Sequence, residues 1–223
     1  MSARSLVARE APESRKKKAP PPRDQAASTF TAILQRLLDA TPAARGVALV
    51  DFEGETVDYA GKVDPFELKI AAATWLITLT EVREARRLGE IRQIVVRARR
   101  AAYLMRRIEE SYAVVMVLHR RAAFVVSERA LEEAQVKLSI EAGFLVPKYA
   151  IRWFSVEVKT EPRDRRRPAA VRVAGGFQPV EVMGAVMGLG PREKGFRVRL
   201  PSGAEMMLVR ERLGQWFADE HVE

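Results

Sequence analysis

The sequence predicts a layered α/β domain over residues 28–147, in the order α-β-β-α-β-β-β-α around a five-stranded, mainly antiparallel sheet. A small all-β module follows over residues 171–223. Three observations predict this. Apolar residues recur at helical spacing in three segments, and the strands between them are joined by turns too short for crossovers. The last quarter breaks into short apolar runs separated by glycine, which suits a small barrel of the SH3-like kind.

Residues 1–27 hold Arg15-Lys16-Lys17-Lys18 and Pro20-Pro21-Pro22 with few apolar side chains, too little to offset the entropy of ordering a chain. They read as a disordered basic arm, either a solubilising tail or a docking arm. The first helix starts at Ser28 or Thr29. Phe30, Ile33, Leu34, Leu37 and Leu38 follow its period, and Thr41-Pro42 ends it. Gly46–Asp51 then reads as a buried strand, with a turn at Gly54 and a returning strand over Glu55–Gly61.

The second helix, Asp64–Leu88, has a capping aspartate, Pro65 at the first helical position, Glu67 completing a capping box, and Gly89 as its stop. At ~100° per residue it carries two apolar stripes. Phe66, Ile70, Ala73 and Ile77 lie on one side, and Leu68, Ala72, Trp75, Leu79 and Val82 roughly opposite. A surface helix needs only one. The helix is therefore either central to a single-chain core or sandwiched between its own sheet and a partner. On the second alternative Leu68, Ala72, Trp75, Leu79 and Val82 face the partner. Trp75→Glu should then dissolve a dimer, and Phe66→Glu should unfold the monomer.

Ile91–Ala98 reads as a strand with Ile94 and Val96 on one face, Ala101–Ile108 as its partner, and Tyr112–Leu118, apolar on both faces, as the central strand. Ser127 caps the third helix, whose inner stripe is Leu131, Ala134 and Leu138, and Gly143 ends it. Residues 148–170 read as a connecting strand and a charged linker. Trp216 and Phe217 beyond it would either line a groove or fill the small core.

Net charge is +9, and residues 91–121 alone hold eight arginines against two glutamates. Arg97, Arg99, Arg100, Arg106 and Arg107 form a candidate patch for an anionic partner. No motif for chemistry accompanies them. Cysteine is absent, only His119 and His221 are available for metal ligation, and Gly188–Gly195 lacks the following helix that a phosphate loop needs. The expectation is a protein without catalytic residues, metal or cofactor. It has neither a membrane span nor a signal-peptide core, and so is expected in the cytoplasm.

The run LQRLLDATPAARGVALVDFEGETVDYAG, Leu34–Gly61, resembles the opening of Roadblock domains of the dynein light-chain family. EIRQIVVRARRAAYLMRRIEESYAVVMVLHRRAAF, Glu90–Phe124, is similar to their three later strands. The resemblance covers about half of the chain. It implies a homodimer in which the long helices of two chains pack together and the Ile91–Ala98 strands, with Ile94 and Val96, pair edge to edge. It also implies partners among Ras-like small GTPases or other Roadblock chains, with a role in scaffolding or in regulating hydrolysis, as in bacterial cell polarity. The alternative is a nucleic-acid-binding adaptor that uses the basic patches.

Overall fold

The structure is a computed structural model that describes residues 22–83, 91, 93–109, 111–121, 126–146, 152–190 and 192–220. Its first half follows the expected order: α1 (Thr29–Asp39), β1 (Ala44–Asp51), β2 (Thr56–Gly61), α2 (Pro65–Arg83), β3 (Gln93–Arg97), β4 (Ala101–Glu109), β5 (Tyr112–His119) and α3 (Glu128–Glu141). All five strands pair antiparallel in the order β2-β1-β5-β4-β3. The central strand is β5, whose residues 113–118 are all buried.

Local chemistry sets the element ends. Asp64 accepts from the backbone N–H groups of Phe66 (3.0 Å) and Glu67 (3.3 Å), and Ser127 accepts from that of Ala130 at 3.0 Å. These bonds satisfy donors that a helix start otherwise leaves open. Gly143 leaves α3 at φ +84°. At Gly61, φ is +121° and an added Cβ would lie 2.5 Å from the Arg45 carbonyl oxygen, so the tight β1–β2 pairing there requires glycine. The helix stop expected at Gly89 lies outside the described residues.

The sheet separates two apolar layers. On one side α1 and α3 bury Leu34, Leu37, Leu131 and Leu138 against Val47, Leu49, Leu104 and Met116. On the other, α2 buries Leu68, Ala72, Leu76 and Leu79 against Ala48, Val50, Met105 and Val115.

Eight short strands follow: β6 (Phe154–Val156), β7 (Val158–Thr160), β8 (Pro168–Val173), β9 (Gly176–Pro179), β10 (Glu181–Val186), β11 (Lys194–Arg199), β12 (Glu205–Arg210) and β13 (Trp216–Ala218). They form sheets ordered β10-β11-β12-β13-β6 and β7-β8-β9. Only Glu157 separates β6 from β7, and only Val180 separates β9 from β10, so two bent strands serve both sheets and close a small barrel. Its core is Val171, Val198, Met206, Leu208 and Trp216.

Two boundaries are corrected. The expected connecting strand is split at Glu157 into barrel strands β6 and β7, and residues 168–170, expected in the linker, open barrel strand β8; segments this short show no period of two. Residues 22–28, mostly assigned to the arm, are held against β2. Arg23 pairs with Asp58, donates to the Tyr59 carbonyl and lies 4.3 Å from the Tyr59 ring centroid. The Tyr59 hydroxyl donates to Asp24 at 2.7 Å, and Lys69 reaches Asp24 at 2.8 Å. The arm before residue 22 lies outside the described residues.

Candidate interaction surfaces

Three surfaces stand out. The first is α2, whose apolar stripes are both real but whose rotation reverses the expectation. Leu68 (1% exposed), Ala72 and Leu79 are buried on the chain's own sheet. Trp75 packs half-buried on Tyr103, ring centroids 5.1 Å apart. Phe66, Ile70 and Ile77 point outward, 71%, 54% and 61% exposed. Leu68, Ala72, Trp75 and Leu79 are thus core side chains rather than interface ones, and Val82 is half-buried. Trp75→Glu is therefore expected to disturb the fold and Phe66→Glu to leave it intact, as circular dichroism would show. The rotation is set where the chain enters the helix, because buried Val63 and Pro65 bring the Leu68 stripe down onto the sheet. Hydrophobicity could not choose between two similar stripes.

Beside this helix lies the open edge of the sheet. β3 pairs only with β4, leaving its other side without a strand partner among the described residues. Ile94 and Val96 are half-buried against the α2-side cluster, so any edge pairing would use the β3 backbone rather than these side chains.

The element order is α-β-β-α-β-β-β-α, the sheet order is 2-1-5-4-3, and one long helix covers one face of the sheet while two helices cover the other. This is the arrangement that the resemblance to Roadblock domains implies. Among solved structures the chain is similar to Myxococcus xanthus MglB, at 16% identity over 53% of this chain and 98% of that one, TM-score 0.46. It is similar to the gliding protein MglB of Thermus thermophilus, at 18% identity over 52% and 92%, TM-score 0.45. It is also similar to a Roadblock/LC7 domain from Streptomyces avermitilis, at 18% over 52% and 97%, TM-score 0.42. No family model matches the sequence, and no curated protein matches it.

The second surface is the arginine patch, which the Roadblock-like sheet divides. Arg106 is not part of it: its guanidinium pairs with Glu128 at 2.8 Å and bonds Gln93 and Gln135, each at 3.2 Å. Arg107 is half-buried and its neighbour in the strand, so it points to the opposite face of the sheet. Arg97, Arg99 and Arg100 are exposed at the β3–β4 turn. Strand pairing places them with Arg120 and Arg121, because Ala101 is opposite His119.

The third is the seam between the Roadblock-like domain and the barrel. Phe217 is fully buried in the core that α1 and α3 cover, whereas its neighbour Trp216 fills the barrel. Of the two readings of these aromatics, core is the one observed. Across the seam, Arg129 of α3 pairs with Glu193 (2.7 Å) and Glu211 (2.9 Å) and lies 4.7 Å from the Trp153 ring centroid. The Arg129 hydrogen bond holds the Glu193 carboxyl below its usual range against the opposing effect of burial. Beside the seam, a cleft of about 570 Å³ is lined by Ile33, Arg36, Lys137, Val156 and Arg172, among others.

Among the described residues no group of three or more His, Cys, Asp or Glu could hold a metal ion, and no helix is long and apolar enough to cross a membrane. Sequence reasoning missed the Asp58 cluster and the seam. Their partners lie 27–35 and 64–82 positions apart, and no periodicity reports such pairings.

Proposed function

We propose that the protein is a homodimeric Roadblock-type regulator or scaffold that binds a Ras-like small GTPase and modulates its hydrolysis or localisation, without catalysing a reaction alone. The observation that carries the dimer is the outward stripe of Phe66, Ile70 and Ile77 on the same domain as the open β3 edge. Fully burying each such side chain contributes ~1.5–3 kcal/mol, and a two-fold axis doubles every contact. Antiparallel pairing of two β3 edges about an axis normal to the sheet continues it across both chains. It also leaves both α2 helices on one face. The GTPase is supported by the resemblance of Leu34–Gly61 and Glu90–Phe124 to Roadblock domains.

The partner is tested by binding the purified protein to the Ras-like GTPases of its own cell, each loaded with GDP or a non-hydrolysable GTP analogue. Binding that depends on the nucleotide is expected for one of them. Absence of binding in either state for all of them contradicts the reading.

A further inference from the structure

The arginines of the β3–β4 turn are part of a larger feature that runs along one end of the sheet. β1 and β4 begin there, and β2, β3 and β5 end there. The backbone hydrogen bonds connect them in a row: Lys62 N–H to the Arg45 carbonyl (2.9 Å), His119 N–H to the Ala43 carbonyl (2.8 Å) and Ala98 N–H to the Ala101 carbonyl (2.9 Å). Lys62, Arg45, Arg120, Arg121, Arg100 and Arg99 therefore stand along a rim of five strand ends, about 19 Å long at ~4.8 Å per strand, with Arg97 beside them.

All six are exposed, and none has an ion-pair partner among the described residues. Several arginines elsewhere are matched with acids: Arg106 with Glu128, Arg129 with Glu193 and Glu211, Arg172 with Glu157, Arg199 with Glu205. The acid closest in sequence, Asp64, is engaged in capping α2. A row of like charges repels itself and gains nothing for the fold.

We propose that this rim binds the sugar-phosphate backbone of duplex nucleic acid without reading its sequence. Five of the six cations are arginine, whose planar fork matches phosphate oxygens. The rim is a row rather than a pocket, and its length spans several phosphates. Its turn residues beside the cations, Ala98 and Ala101, offer neither the exposed apolar side chain that seats a protein in a bilayer nor an apolar centre for a protein interface. Among the described rim residues the only ring is the His119 imidazole, and no Phe, Tyr or Trp stands there to stack unpaired bases, which favours a duplex over a single strand. The inference is independent of the GTPase reading and of the dimer.

The test is fluorescence anisotropy of a short labelled DNA duplex of mixed sequence against the full chain, between about 50 and 200 mM salt. Three charge-matched variants are compared, each checked for folding by circular dichroism: Arg99→Glu with Arg100→Glu, Arg120→Glu with Arg121→Glu, and, off the rim, Arg165→Glu with Arg166→Glu. Wild-type affinity should fall steeply with salt. Each rim pair should weaken binding by roughly tenfold or more and flatten the salt slope by about one unit for each phosphate no longer neutralised, while the off-rim pair changes little. Equal losses in all three variants overturn the proposal. So does failure of wild type to bind the duplex at the lowest salt, or binding to phosphatidylserine vesicles or polyglutamate in preference to the duplex.

Discussion

Phe217→Ala is expected to destabilise the whole chain by about 3–5 kcal/mol, a large share of the ~5–15 kcal/mol that holds a domain folded. Phe217 is fully buried, yet its ring fills the core of the α1–α3 layer while its backbone belongs to the barrel strand β13. Removing the ring leaves a cavity in the α1–α3 core where the barrel strand is anchored, so that core cannot collapse without moving β13. The Arg129 pairs beside it reinforce the coupling. Urea unfolding followed by tryptophan fluorescence and by far-UV circular dichroism should shift together, since Trp75 reports the Roadblock-like domain and Trp216 the barrel. A loss below about 1 kcal/mol, or a shift in only one of two separate transitions, would show that the halves are not joined through this ring.

The second large effect belongs to Asp58→Ala. Asp58 is 1% exposed, and its carboxylate accepts from Ser28, Thr31 and Gln25 besides pairing with Arg23. Deleting it strands these donors at once, and breaking a buried pair costs about 3–5 kcal/mol. The low end is expected, because Arg23 is 26% exposed and solvent screens it. Burial alone would raise the Asp58 pKa, but the hydrogen bonds from Ser28, Thr31 and Arg23 outweigh it and hold the carboxyl below its usual range. The folded pKa is therefore the lower one. Its stabilisation is fully present above the unfolded value of about 3.9 and is lost as pH falls from there through the folded value. The stability gap between wild type and Asp58→Ala should be large at neutral pH and shrink at acid pH. A gap independent of pH would mean that the carboxylate charge contributes nothing.

What was legible in the sequence was what local chemistry dictates. Asp64 and Ser127 announce helix starts, Gly54 and Gly143 mark positive φ, and the unbroken apolar run through Val114–Leu118 marks the central strand. The existence of two stripes on α2 was legible as well. Which of them faces the sheet was not, because Leu68 and Ile70 are equally apolar and the choice lies in the rotation that Val63 and Pro65 impose. Arg106 reads as one of five similar arginines until α3 brings Glu128 against it. A strand was legible within residues 148–170, but its bend at Glu157 into β6 and β7 was not, because three-residue strands on either side of a bend have no measurable alternation.

The outward stripe of α2 is the claim on which the proposed function stands, and the mass of the chain in solution tests it most directly. Light scattering coupled to gel filtration should find wild type at twice the chain mass. Ile70→Glu with Ile77→Glu should run at the single mass while keeping wild-type circular dichroism, since neither side chain belongs to the core. Wild type at the single mass at high concentration, or a double variant that stays dimeric, would contradict the account.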